Sequence, residues 1–295
     1  MTTDTYLDQI LPQTKQDVKE RRSLKSQDEL IAELADNPPA LDFKKAFSED
    51  RLHLVAEIKR ASPSKGIFDE NLDVKKLARS YVKNGATAIS VLTDSKFFKG
   101  SLEDLKKVRE VTLSSKTPLL RKDFIIDPYQ IYESRAWGAD AILLIAVCLS
   151  NNEIEEFQNI AESLSMSALI EVHNEEEYFR VSDLKPKLIG INNRDLKTFQ
   201  TDLTTTHAIA PRVSQSIVVI SESGIHTQKD ARILRAAGVD GILVGESLIT
   251  SSDTAKLVQE LSSIDDPRNP FQDATILKDI MDLNNGNNDS NNRLS

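Results

Sequence analysis

Hydrophobic and polar positions along this chain fall into two kinds of block that alternate. Short aliphatic or β-branched runs occur at 52–58 (LHLVAEI), 86–92 (ATAISVL), 118–121 (PLLR), 140–147 (DAILLIAV), 167–171 (SALIE), 187–191 (KLIGI), 216–220 (SIVVI) and 240–244 (DGILV). Amphipathic stretches separate them, near 72–84, 101–113, 128–137, 152–164, 174–182, 202–210, 227–237 and 253–262. Strand-like runs alternating with helical patterns of roughly 10–15 residues indicate βαβ units and a parallel sheet. Eight such units predict a (β/α)8 TIM barrel, an α/β fold of about 250 residues. On this pattern alone, a doubly wound open sheet competes with it.

The flanks differ from the middle. Residues 1–50 read as an N-terminal helical extension, in which Tyr6, Leu7, Ile10 and Leu11 recur at helical spacing. Ser26-Gln27-Asp28-Glu29 fits a capping box ahead of Leu30, Ile31 and Leu34, and Asn37-Pro38-Pro39 ends that helix. The catalytic barrel is expected over 51–263, with the extension lying across its mouth or its bottom. A C-terminal segment follows over 264–295: a weak amphipathic stretch at 272–283, then six asparagines within 284–292 that read as a disordered tail. A weak internal repeat supports the barrel. Gly85-Ala86-Thr87-Ala88-Ile89, Gly138-Ala139-Asp140-Ala141-Ile142 and Gly238-Val239-Asp240-Gly241-Ile242 share one shape. Each glycine follows a helix, where a left-handed residue ends it, so the repeat speaks of fold and not of chemistry.

Composition narrows the function. With 39% hydrophobic but only 5% aromatic residues, the core is aliphatic. A net charge of −9 argues against non-specific nucleic-acid binding. No apolar run reaches the ~18 residues of a membrane span. No basic segment followed by an apolar one marks a secretory signal, so a cytoplasmic protein is expected. The one cysteine, Cys148, excludes an intrachain disulfide and a multi-cysteine metal site, and its apolar surroundings make it a small core residue.

In a barrel the active site lies at the C-terminal ends of the strands, so the polar residues that close each run are the candidates. The first run ends in Glu57, Lys59, Arg60 and Ser62, ahead of Lys65. The third ends in Arg121, Lys122 and Asp123, the fifth in Glu171, and the sixth is followed by Asn192, Arg194 and Asp195. Arg60, Lys65, Asp123 and Asp195 read equally well as a solvated rim. Strand alternation puts Glu57 and Lys59 together on one face, taken here as the face opposite Val55. Charges pointing inward need partners. A cluster of Glu57, Lys59, Lys122 and Glu171 would satisfy its own charges, as an ion network or as acid–base machinery with pKa values drawn toward neutrality. The mouth is locally basic on an acidic protein (Lys59, Arg60, Lys65, Arg121, Lys122, Arg194), which suits an anionic small molecule. Ser223-Gly224 and Gly245-Glu246-Ser247 follow the seventh and eighth runs, where barrels commonly bind phosphate on backbone N–H groups. There is no G-x-G-x-x-G and no P-loop. The four histidines show no ligand spacing, and His173 reads as a loop residue.

These motifs match one family. VAEIKRASPSKG (55–66), PLLRKDFIIDPYQI (118–131), GADAILLIA (138–146), LIEVHNEEE (169–177), IGINNRDL (189–196), ISESGI (220–225) and GVDGILVGESLI (238–249) run through the chain in order. Together they resemble the indole-3-glycerol-phosphate synthase family of tryptophan biosynthesis; the extension, from YLDQIL to NPPALDFKKAF, resembles it too. The resemblance implies a carbon–carbon lyase with neither cofactor nor metal. It implies ring closure, decarboxylation and dehydration of 1-(2-carboxyphenylamino)-1-deoxyribulose 5-phosphate. By resemblance, Lys122 is the general acid, Glu171 the general base, Lys59 the partner of the substrate carboxylate and Glu57 the residue that orients this cluster. Asn192, Arg194, Glu222 and Ser223 fall at substrate-binding positions, and Ser62, Gly224, Gly245 and Glu246 at phosphate-binding positions. The expected partners are this phosphorylated substrate, with no nucleic acid or membrane, on a monomer in at most transient contact with other tryptophan-pathway enzymes. Two other readings are a different phosphosugar barrel enzyme, which would favour aspartate or cysteine as its acid–base pair, and a catalytically silent barrel.

Overall fold

The computed structural model describes residues 6–264 except Lys197. The amphipathic stretch at 272–283 and the asparagine-rich tail lie outside the described residues. Eight strands appear where the aliphatic runs predict them: β1 (His53–Ile58), β2 (Ala88–Leu92), β3 (Leu119–Lys122), β4 (Ala141–Ile145), β5 (Ser167–Val172), β6 (Leu188–Asn192), β7 (Val218–Glu222) and β8 (Gly241–Val244). Each pairs in parallel with its neighbours, and β8 pairs with β1 from Gly241↔His53 to Val244↔Ala56. That last pairing closes the barrel and excludes the open sheet. Two helices precede it, α1 (Tyr6–Leu24) and α2 (Gln27–Glu33). The connecting helices are α3 (Val74–Lys83), α4 (Leu102–Thr112), α5 (Pro128–Ala136), α6 (Asn151–Ser163), α7 (Glu175–Ser182), α8 (Thr204–Ile209), α9 (Gln228–Ala236), α10 (Glu246–Thr250) and α11 (Thr254–Ser262). The periodicity did not announce α10 as an element of its own, because five residues carry no full amphipathic repeat. Nor did it announce a two-stranded antiparallel ladder, Ala61–Ser62 with Gly66–Ile67, in the loop after β1.

Side-chain alternation divides the interior in two. Leu54, Ala56, Ile58, Ile89, Val91, Ile142, Leu144, Ile170 and Ile189 face out into the large core beneath the helices. Val55, Ala88, Leu120, Leu143, Leu169, Ile220 and Leu243 face in and fill the barrel. Val55 therefore shares the inward face with Glu57, two residues on. This corrects the assignment of Glu57 and Lys59 to the opposite face, since a period of two puts residues 55, 57 and 59 on one side.

The extension reaches both ends of the barrel. Phe43 and Phe47 join the inner core at the bottom, where Phe47 packs 5.2 Å from the His53 ring and close against Gly241. A Cβ on Gly241 would run into that ring. At the other end Tyr6, Leu7 and Ile10 border the mouth. Between the two, α1 and α2 are held to α5. Arg21 Nε lies 2.8 Å from Glu133 Oε1, and Tyr129 donates to the Lys25 carbonyl at 3.0 Å. The capping box forms as predicted: Glu29 N donates to Ser26 Oγ at 3.3 Å and Ser26 N to Glu29 Oε2 at 2.7 Å.

The internal repeat acquires a physical reason. Gly85, Gly138 and Gly238 have φ of 104°, 92° and 98°, the conformation a helix-ending glycine supplies. After Gly138 and Gly238 the aspartate two residues later bonds the strand before it. Asp140 N donates to Leu119 O at 2.9 Å while Leu119 N donates to Asp140 Oδ2 at 2.8 Å. Asp240 repeats this with Val219, at 2.9 Å both ways. Asp140 also accepts from Leu41 N at 2.8 Å and pairs with Arg109, so it ties the extension to the barrel. Asp140→Ala leaves these buried donors unpaired and is expected to cost about 3–5 kcal/mol, the range for breaking a buried ion pair; urea unfolding of the variant measures it.

Candidate active site

The inward face of β1, β3, β5, β6 and β7 changes character toward its C-terminal end. Below lie aliphatic side chains; at the top lie Glu57 (β1), Lys122 (β3), Glu171 (β5), Asn192 (β6) and Glu222 (β7). They form the floor of a cavity of about 490 Å3 that opens at the mouth. Lys122 Nζ lies 2.8 Å from Glu171 Oε2 and 3.2 Å from Glu222 Oε2, so one ammonium serves two carboxylates. Lys59 Nζ lies 2.8 Å from Glu57 Oε1. All three glutamates are less than 5% exposed. Two glycines make room for this charge. A Cβ on Gly190 of β6 would overlap Glu222 Oε1, and one on Gly245 would overlap Glu57 Oε1.

The electrostatics separate the carboxylates. Burial opposes the charge on Lys122, but Glu171, Glu222 and Glu57 outweigh it and hold the ammonium well above its ordinary pKa. Burial likewise opposes ionisation of Glu171, but Lys122 and His173 hold it well below the usual carboxylate range. Glu222 goes the other way: burial and the charge of Glu171 exceed the help from Lys122 and push it up to about 8. The sequence reading drew a cluster of Glu57, Lys59, Lys122 and Glu171 toward neutrality; Lys122 and Glu171 move away from it, and the carboxylate that moves toward it is Glu222, outside that cluster, because it shares its cation with a stronger competitor. Among the described residues, no hydrogen-bond donor is aligned on either Glu222 oxygen.

The rim carries both polar and apolar residues. Ser223 and Gly224 take successive positive φ values of 66° and 77°, and Gly245 starts α10. Ser62 Oγ is buried at the cavity edge with no hydrogen-bond partner among the described residues. Arg194 Nη1 donates to Phe199 O at 3.1 Å, and its Nη2 lies 3.9 Å from Glu246 Oε2. Lys65 Nζ approaches the other Glu246 oxygen at 3.8 Å. His226 Nδ1 lies 2.9 Å from Ser247 Oγ. Leu7, Ile10, Phe98, Phe124 and Phe199 give the lining its apolar wall, with Tyr6 edge-on to Phe199 at 4.5 Å.

Every residue singled out as catalytic, substrate-binding or phosphate-binding borders this one cavity: Glu57, Lys59, Ser62, Lys122, Glu171, Asn192, Arg194, Glu222, Ser223, Gly224, Gly245 and Glu246. Lys65 of the expected basic mouth borders it too, whereas Arg60 and Arg121 do not. Arg121 points out of the barrel, fully buried, and pairs with Asp123 at 2.8 Å and Glu133 at 3.0 Å. Its even offset from Leu119 places it there. Arg60 turns away to pair with Asp104. Asp195 Oδ1 accepts from Thr198 N at 2.7 Å and closes its own loop. Cys148 is partly buried, and burial pushes its thiol up to about 12, as befits an unreactive packing residue. Two features went unseen in the sequence. The α1 residues at the rim lie too far along the chain for any local pattern to bring them here. His173, read as a loop residue, sits directly behind Glu171. Among the described residues no group of three or more His, Cys, Asp or Glu is arranged to hold a metal.

A family model described as Indole-3-glycerol phosphate synthase matches residues 7–261. This chain belongs to the indole-3-glycerol phosphate synthase family. An indole-3-glycerol phosphate synthase of Desulforamulus reducens is 50% identical over 226 residues, 76% of this chain and 84% of the relative. One of Roseiflexus sp. is 46% identical over 265 residues, 88% of this chain and 98% of the relative. Among solved structures, tryptophan synthase subunit alpha from Legionella pneumophila superposes with a TM-score of 0.55 at 16% identity, covering 75% of this chain and 97% of that one. That likeness is one of fold. In the synthase family context, the matched region spans both the barrel and most of the extension. No helix among the described residues is long and apolar enough to cross a membrane.

The uneven sharing of Lys122 is directly measurable. With glutamate side chains labelled with carbon-13, one carboxyl resonance is expected to titrate near pH 8, and Glu222→Gln to remove it. A Glu222 signal titrating near 4 contradicts the geometry.

Proposed function

We propose that this cavity converts 1-(2-carboxyphenylamino)-1-deoxyribulose 5-phosphate into indole-3-glycerol phosphate, carbon dioxide and water, as a carbon–carbon lyase of the carboxy-lyase type. The observation that carries the reading is the Lys122 ammonium, buried between Glu171 and Glu222 below the Glu57–Lys59 pair. It supplies a strong cation and two carboxylates of unlike proton affinity at one point in a mostly enclosed space.

The ring carbon that bears the carboxylate attacks the ribulose carbonyl. The substrate must fold for this, and binding at both ends holds it folded. The phosphate sits against Gly224, Gly245, the Glu246 N–H and Ser62. The aromatic ring lies on the apolar wall beside Phe98 and Phe199. Its carboxylate meets Lys59, while Asn192, Arg194 and Ser223 hold the ribulose chain. Such orientation is worth several kcal/mol, up to ~7–11 in favourable systems.

Lys122 then gives its proton to the carbonyl oxygen as charge develops there. Its raised pKa keeps the proton in place until an alkoxide, which is more basic, takes it. Carbon dioxide leaves, and Lys59, steadied by Glu57, protonates the departing hydroxyl. Loss of carbon dioxide returns the ring electrons, and Glu171, held ionised, removes the carbon-bound proton whose loss with the hydroxyl completes the new five-membered aromatic ring. Glu222, neutral below pH 8, donates a hydrogen bond without adding a second negative charge beside the substrate.

The test is a fluorescence assay for the indole product with the purified chain. Lys122→Ala is expected to lower turnover by about 10³-fold or more, within the range for loss of a general acid, with an unchanged circular dichroism spectrum. Normal turnover in that variant would sink the mechanism, and no product from the parent chain would point to another phosphosugar barrel or a silent one. Gly190→Ala, which crowds Glu222, is expected to cost about 100-fold in kcat, as small misplacements near reacting groups do, while the melting temperature barely moves.

A further inference from the structure

His173 does not border the cavity, yet it touches the group that does the chemistry. It follows Glu171 by two residues, as the first residue after β5. Its Nε2 lies 3.2 Å from Glu171 Oε1, while Lys122 holds Oε2 at 2.8 Å. Lys122 thus donates a hydrogen bond to one oxygen of the carboxylate, and the imidazole approaches the other at ion-pair distance without an aligned hydrogen bond. The imidazole is itself fixed from behind. Its Nδ1 lies 3.1 Å from Glu177 Oε2, and its backbone N–H donates to the same oxygen at 2.9 Å. Glu177 is fixed in turn, since Asn174 Nδ2 donates to its Oε1 at 2.9 Å and Glu177 N donates to Asn174 Oδ1 at 2.8 Å. Glu177 stands in the first turn of α7, where the helix dipole favours a negative charge. The cap of α7 is Asn174, so the His173 side chain is not needed to start that helix.

We infer that His173 is a positioning residue for Glu171, the middle of a Glu171–His173–Glu177 chain that aims the base carboxylate into the cavity. The inference rests on the proposed reaction and deepens it. The charged and titratable groups around the chain are Lys122 on β3, Glu222 on β7, Glu57 on β1 acting through Lys122, Glu177 on α7, and Cys148 in the turn after β4. Burial opposes a charge on His173, but Glu171 and Glu177 outweigh this and push it up to about 9. At neutral pH an imidazolium thus stands between two carboxylates.

This second cation matters because of what Lys122 does. When Lys122 gives up its proton during ring closure, Glu171 loses the counter-charge on Oε2. Without His173 it would become a competing proton acceptor within reach of the same ammonium. With His173 protonated, Glu171 keeps a counter-charge on Oε1 and stays a carboxylate for the later proton removal. A neutral side chain at 173 that donates a hydrogen bond would keep part of the aim and none of the charge.

The experiment compares kcat, KM and the pH profile of kcat for the parent chain, His173→Leu, His173→Gln and Glu177→Gln. His173→Leu is expected to lower kcat about 10- to 100-fold, as misorientation of a reacting group does, with KM changed by less than about threefold. The acid limb of kcat reports ionisation of the base in the complex. Losing the cation raises the Glu171 pKa, so this limb should move to higher pH in His173→Leu and His173→Gln. His173→Gln should recover part of kcat but not the limb. In Glu177→Gln the imidazole loses its proton at lower pH, which nitrogen-15 NMR of the His173 ring reads directly, whether or not His173→Leu folds well. An unmoved acid limb in both His173→Gln and Glu177→Gln overturns the inference, as does a fall in kcat that only tracks a fall in melting temperature. If the parent chain itself makes no indole product, the proposed reaction fails first and the inference with it.

Discussion

One buried ammonium organises this protein. Lys122 stands at the end of β3 with its charge largely removed from water, and that is costly unless carboxylates meet it. Glu171 and Glu222 meet it from β5 and β7, and Glu57 adds its field from β1. These strands are spread around the barrel, so only the closed sheet brings the groups together. Each carboxylate then imposes its own condition. Glu222 needs space over β6, and Gly190 leaves it. Glu57 needs space beside β8, and Gly245 leaves it. Glu171 needs a second cation, and His173 stands behind it.

The same logic explains the extension. A barrel filled with aliphatic side chains has an open lower end, and Phe43 and Phe47 close it with two of the few aromatic rings in the chain. The upper end must stay open for a substrate, and there the extension contributes only a border of Tyr6, Leu7 and Ile10. The Arg21–Glu133 pair and the Asp140 bonds fix the path between the two ends. The outward-facing Arg121, also bonded to Glu133, links that path to β3, one residue from Lys122. The support of the extension and the site thus share a strand.

The barrel and most of its site were legible because both rest on short-range rules. Alternation of two separates Lys122 from Arg121 once the inward face is known, but the sequence reading counted both among the basic residues of the mouth. The aspartates at 140 and 240 were visible as a repeat, but their bonds to the preceding strand were not. His173 shows the limit most clearly. Its offset of two from Glu171 was plain, yet a loop histidine and a positioning histidine have the same local sequence. What separates them is Glu177 returning from the first turn of α7 to hold the ring.

The sequence by itself determined the eight strand–helix units, the capping box, the left-handed glycines and the set of polar residues at the strand ends. These depend on residues close together in the chain, where helical and strand periods and backbone sterics act directly. Only the tertiary structure decided which charges share a partner, and therefore which carboxylate is ionised and which is neutral. It also decided why Gly190 and Gly245 lack side chains, and that the first turn of α1 reaches the mouth. Charge sharing and steric exclusion act through space. The groups involved lie up to 188 residues apart along the chain, as Glu57 and Gly245 do, and no local pattern encodes that distance.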